Sequence, residues 1–169
     1  MPTNLLIETQ LAHNAWATRR ILEHCQSLPA EAFNQPHDIG PGSLQATGAH
    51  IIEAMFYFAD IFHTHEYHRR EHFEERARTP TGQLDLLARV EPELAAAVRS
   101  WLNHHALDDL IAWPSEPASI TTATALSQIF DHGTHHRAQI LNMLRQLEAL
   151  GDLAVSPLLW HADAGHDIA

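Results

Sequence analysis

The chain contains no lysine, a single cysteine and no long apolar run, and each shortage removes a class of function. Its ten basic residues, all arginine, stand against 21 acidic ones, for a formal charge of −11. Neutralising a nucleic-acid backbone needs clustered cations, so no nucleic-acid partner is expected. The same deficit leaves no polybasic patch for an anionic membrane surface. Cys25 alone forms neither an internal disulfide nor a cysteine-based zinc finger. No apolar run approaches the roughly 20 residues that span a bilayer. The opening MPTNLLIETQ lacks a basic stretch and carries Glu8, so no signal peptide is expected and the expected compartment is the cytoplasm. Strand-like alternation of β-branched residues, internal repeats and low-complexity tracts are also missing.

The length of 169 residues suits one domain, 1–169, large enough to bury a core. Apolar residues make up 45% and charged residues 18%, as in an ordinary globular chain. Gly and Pro gather at 29–42, 79–82, 113–119 and 151–157 (Pro114 and Pro117 fall in the third group), and these read as breaks. Between them lie four long segments rich in helix formers. The spacing predicts helices over 3–27, 43–73, 81–104 and 121–150. The first carries the stripe Ile7, Leu11, Ala15, Thr18, Leu22 and Cys25, one face of an amphipathic helix. The second starts at Ser43, an N-cap residue, and its stripe is Thr47, His50, Ala54, Tyr57, Phe58 and Ile61. The third has Leu84, Leu87, Leu94, Val98 and Leu102 inside, with Pro92 as a kink or restart. The fourth has Ala125, Ile129, His132, His136, Ile140, Met143 and Leu147. Four such segments in one small domain predict an all-α four-helix bundle.

Fifteen histidines are the unusual feature, and their positions decide their meaning. His132 and His136 lie one turn apart within the apolar stripe of the fourth helix. Burying two imidazoles there is costly unless each finds a partner. A shared cation solves this, because HxxxH presents two ring nitrogens to one point. His50 interrupts the apolar stripe of the second helix in the same way. Three histidines from two helices can form a three-nitrogen site with open positions, as catalytic zinc sites do. A histidine-rich helix also produces HxxxH with no ligand role. The second such pair, His68 and His72, stands in EYHRREHFEER and reads as a solvated face. His135 reads as a rim residue. His104 and His105 close the third helix, where cations favour the C-terminal dipole. His161 and His166 lie in a tail, while His13, His24, His37, His63 and His65 form no readable constellation.

Other chemistries find no support. Residues 132–136 read His-Gly-Thr-His-His, so the glutamate of HEXXH is missing. GxSxG, GxxxxGK[ST] and GxGxxG are absent. A di-iron carboxylate site needs Glu-x-x-His on two helices, but here His50 precedes Glu53 and the fourth helix has no matching Glu. Cys25 falls on a core stripe and reads as an inert buried thiol.

Three segments together resemble one family. His13-Asn14-Ala15-Trp16-Ala17 looks like the N-x-W-A signature of the DinB-like, or YfiT-type, metal-binding bundles. Gly42-Ser43-Leu44 followed by Ala49-His50-Ile51-Ile52-Glu53 is similar to that family's second-helix segment. His132 to Ile140 looks like its HxxxHRxQ signature. The resemblance spans residues 4–147 in order. His13 departs from the usual aromatic before Asn14, and Ala138 from a frequent glycine. The resemblance implies a three-histidine divalent-metal site, carried here onto His50, His132 and His136. It implies the neighbour order 1-2-4-3, with the second and fourth helices side by side. Arg137 and Gln139 match the motif and are assigned structural roles first.

What the resemblance implies about function is a metal-dependent transferase or isomerase that uses low-molecular-weight thiols such as bacillithiol or mycothiol; a three-histidine metal can equally activate water for hydrolysis. The alternative is a non-enzymatic metal-binding stress or interaction protein on the same bundle. Zinc or nickel suits all-imidazole ligation. No catalytic residue is assigned, and Glu53, Glu91 and His135 are candidates for a general base. A small-molecule thiol or electrophile is the expected substrate. Met55, Phe56, Phe58 and Phe62 give the second helix more than one apolar face, which with the resemblance predicts a homodimer.

Overall fold

A computed structural model describes residues 3–113 and 119–164. Pro114, Pro117 and His166, named above, lie outside the described residues. Among the described residues, seven helices and one small hairpin follow each other: α1 (Thr3–Cys25), α2 (Ala30–Asn34), α3 (Leu44–His63), α4 (Phe73–Arg76), α5 (Pro80–Leu102), β1 (Leu110–Ala112), β2 (Ser119–Thr121), α6 (Thr122–Gln146) and α7 (Pro157–Asp163). No described helix is long and apolar enough to cross a membrane.

The four long helices form the expected bundle. Each start except α1's is fixed by a hydroxyl cap: Ser43 accepts from the Ala46 amide, Thr79 from Gly82 and Thr121 from Thr124. The α1 stripe from Ile7 to Cys25 is buried throughout. Leu86, Val90 and Trp101 of α5 are buried as well, and the Trp101 indole donates to Thr122 Oγ1, tying α5 to the start of α6. Pro92 lies inside α5 without ending it.

Helix packing joins α3 to α5, α3 to α6, α1 to α5 and α1 to α6. The second and fourth long helices are therefore neighbours, as a shared site requires. The order around the bundle is 1-3-2-4 rather than 1-2-4-3. Long connections allow this: residues 26–43, with buried Phe33 on α2, and residues 103–121, with the hairpin, each join helices that are not packed neighbours.

Three other expectations are corrected. The second helix stops at His63 instead of residue 73. Asp60 accepts from Arg70 Nη1 at 2.8 Å and Nη2 at 2.9 Å and from the His68 amide at 2.8 Å, so the chain folds back onto its own helix. His65 and His72 take left-handed backbone at φ 62° and 56°, which ends the helix and starts α4. A short antiparallel hairpin exists, with Ile111 opposite Ile120; three-residue strands are too short to produce an alternation signal. Finally, Met55, Phe56, Phe58 and Phe62 are all buried within the monomer, because α3 packs against both α5 and α6. They provide no surface for the expected homodimer.

Candidate metal centre

His50 on α3 faces His132 and His136 on α6. One ring nitrogen from each lies within 4.8 Å of the other two. The Nε2 atoms of His132 and His50 are 3.0 Å apart. Ring centroids are separated by 4.4 to 4.8 Å across the three pairs. None of the three side chains is fully buried, so the cluster opens toward solvent.

The donor set fits a divalent ion on geometry and on tautomer. Nitrogens about 2.0–2.1 Å from a common ion are about 2.8–3.4 Å apart at right-angle to tetrahedral spacing, which brackets the His50–His132 separation. His136 Nδ1–H donates to Gln139 Oε1 at 2.8 Å, which leaves the His136 Nε2 lone pair available. The other end of the amide, Gln139 Nε2–H, donates to His135 Nε2 at 2.9 Å. Gln139 thus fixes the ring of His136, a positioning role beyond the structural one expected; its spacing of three from His136 was the available signal. Gly40, at φ +54°, lets the 35–43 loop close over this amide: a Cβ there would stand 2.1 Å from Gln139 Oε1.

The electrostatics favour neutral imidazoles. Burial pushes His132 down to about 4, with His136, His50 and His135 adding repulsion. Burial also lowers His136, against the Gln139 hydrogen bond, which raises it. Neutral rings are the ligating form, and crowding three imidazoles without a carboxylate among them suits a cation at their centre.

Arg137 faces the opposite way. Its guanidinium is buried and donates from Nη1 to Asn14 Oδ1 at 2.5 Å and from Nη2 to Thr134 Oγ1 at 3.2 Å. Burial lowers it to about 10, so it stays cationic at neutral pH. Gly133 makes the approach of α1 possible, since a Cβ there would meet Asn14 Oδ1 at 2.2 Å and Arg137 Nη1 at 2.8 Å. The N-x-W and HxxxHRxQ segments therefore interlock as one helix contact.

The other candidates separate clearly. Glu53 is half-buried one step beyond His50 on α3, and its Oε1 accepts from the Tyr67 hydroxyl at 3.0 Å. Tyr67, on the loop after α3, was not singled out in the sequence. Glu91 instead pairs with Arg19 between α1 and α5, away from the histidines between α3 and α6. His68 and His72 are exposed on the 64–72 loop, as expected of a solvated segment. His105 stacks on Trp101 at 3.7 Å. His13, His24 and His37, which carried no sequence signal, bond to Val155 O, Ala149 O and Gln146 Oε1. Aromatic side chains flank the centre: Phe58 touches His132, and Tyr57 and Trp113 stack beside Phe58. The Tyr57 hydroxyl is buried with no hydrogen-bond partner among the described residues.

No curated protein matches the chain. The family model described as DinB family matches residues 1–149, which include the three histidines, Asn14 and Arg137. With that match spanning most of its length, the chain belongs to the DinB family.

Proposed function

We propose that the protein is a zinc- or nickel-dependent cytoplasmic enzyme that acts on a small molecule, either joining a thiol to an electrophile or hydrolysing a polarised bond. The observation that carries this reading is the solvent-accessible cluster of three imidazole nitrogens, with no carboxylate joined to it among the described residues. His50, His132 and His136 would hold the ion. A bound divalent ion supplies Lewis acidity, which favours the deprotonated form of a thiol or water in contact with it. Glu53 is the proton acceptor in this scheme. Residues three apart on a helix have Cβ atoms about 5–6 Å apart, which makes Glu53 a surface neighbour of His50 on α3. The Tyr67 hydroxyl holds that carboxylate in place. Phe58, Tyr57 and Trp113 form an apolar wall that excludes water and favours a substrate with an apolar or aromatic portion.

The test is an activity screen on metal-loaded protein, with low-molecular-weight thiols offered alongside epoxide, haloaromatic and maleyl electrophiles, and with activated esters for hydrolysis. Glu53→Gln should lower kcat about 100-fold, within the range for a proton-transfer group, while metal content stays unchanged. Tyr67→Phe should cost less and act on kcat. Activity that persists in His132→Ala protein stripped of metal would overturn the proposal. Full metal occupancy with no turnover in any arm would favour a non-enzymatic metal-binding role.

A further inference from the structure

On the face of α6 turned away from the histidines lies a cavity of about 700 Å³. It is bounded by the first turns of α1, by α6 and by the segment that carries Val155 and Pro157. Leu6, Leu126, Phe130 and Leu141 make its wall mainly apolar. That volume is in the range of small-molecule sites. Arg137 also lines it.

This arginine is the anomaly. It is 4% exposed, yet no carboxylate pairs with it among the described residues. Its acceptors are all neutral: Asn14 O and Oδ1, Thr18 Oγ1 and Thr134 Oγ1. A guanidinium carries five N–H donors in a fixed fork. Here Nη1 serves α1 and Nη2 serves Thr134, whereas Nε–H and the second Nη2–H have no partner among the described residues. The Nε–H lies on the side of the fork from which carboxylates are commonly bound. A buried charge without a counter-ion is costly, and an anion in the adjoining cavity relieves that cost. The carboxylate in the lining is Asp131, which is exposed on the rim and does not pair with Arg137. His13, the other titratable side chain there, is buried and bonded to Val155 O.

We propose that this cavity is a second ligand site, independent of the metal centre, which takes a small apolar carboxylic acid. The hydrocarbon portion lies among Leu6, Leu126, Phe130 and Leu141, and the carboxylate meets the spare donors of the Arg137 guanidinium. Its charge complements the guanidinium, which neither an alcohol nor an amine of the same length can do.

The experiment is calorimetric titration of the metal-loaded full chain with decanoate and with decanol. Decanoate should bind at one per chain and at least tenfold more tightly than decanol. Ala138→Trp, which fills the mouth while leaving Arg137 in place, should weaken decanoate at least tenfold with metal content unchanged. Arg137→Gln, where it folds, should erase the difference between acid and alcohol. His132→Ala should bind decanoate as the parent does. Equal affinity for the two probes would overturn the site. So would loss of binding in His132→Ala with retention in Ala138→Trp, which places the carboxylate on the metal centre instead. A dimer that Ala138→Trp dissociates would also overturn it, since a second copy would then be the occupant.

Discussion

Arg137 Nη1 donates to Asn14 Oδ1 at 2.5 Å, so a cation of α6 rests on a neutral amide of α1 in the bundle interior. Removing the amide leaves the buried cation without that acceptor. Asn14→Ala should therefore lower the unfolding free energy by about 3 kcal/mol, the upper end for loss of one buried partner. Gly133→Ala should also destabilise, by about 1–2 kcal/mol, because overpacking against Asn14 outweighs the gain of about 1 kcal/mol in helix propensity. Urea unfolding followed by circular dichroism measures both. Parent-like midpoints would remove the interlock from the account of the fold.

Metal content separates ligands from bystanders. His50→Ala, His132→Ala and His136→Ala should each empty the centre, while His68→Ala should retain about one divalent ion per chain. Gln139→Leu keeps all three imidazoles but frees the His136 ring. It should weaken the ion about 10- to 100-fold, the usual cost of losing a group that orients a ligand. Elemental analysis and competition with a chromogenic chelator give both readings.

Acid should destabilise the metal-free protein in a defined window. The folded value of His132 is about 4, below the ordinary 6.5, and His136 is lowered in the same direction. Above about pH 6.5 both states are neutral and these groups do not affect folding. As pH falls, the unfolded chain takes up protons first, so stability drops until the native rings titrate in turn, near pH 4 for His132. Added zinc or nickel should raise the thermal midpoint most near pH 7 to 8 and progressively less toward pH 5, because protons compete for the same nitrogens. Melting curves with chelator and with excess ion that coincide at every pH would show three histidines that pack without ligating.

Cys25 should be silent in the folded protein. Burial pushes its thiol up to about 12 and closes it to reagents. A disulfide reagent should leave it unmodified in buffer and titrate one thiol per chain in denaturant. Rapid modification under native conditions would mean that α1 opens locally.

The stripes of the long helices were legible because burial repeats every three or four residues, and His50, His132 and His136 stood out by interrupting those stripes. What followed α3 was not legible. Segment 64–73 is rich in Arg and Glu, good helix formers, and local propensity favours continuing the helix. The ion pair of Arg70 with Asp60, a contact made only after the chain turns back, overrides it. The positioning role of Gln139, named only as structural, and Tyr67, not named at all, escaped for a related reason. Their importance lies in which neighbour each amide or hydroxyl touches, and spacing alone does not choose between solvent and the ring of His136 or the carboxylate of Glu53.

His24 takes the carbonyl of Ala149, and His13 takes that of Val155. These bonds fasten the chain beyond α6 along the back of α1, where Arg20 also meets Asp163. The family match ends at residue 149, between the two fastenings. Everything that builds the histidine centre lies before that point, whereas Val155 and Pro157, which close one side of the apolar cavity, lie after it. One side of the cavity is thus closed by residues outside the matched region, while the rest of its lining and the whole histidine centre lie within it. Substitutions at Val155 or Pro157 can reshape what the cavity admits while the histidine centre stays as it was.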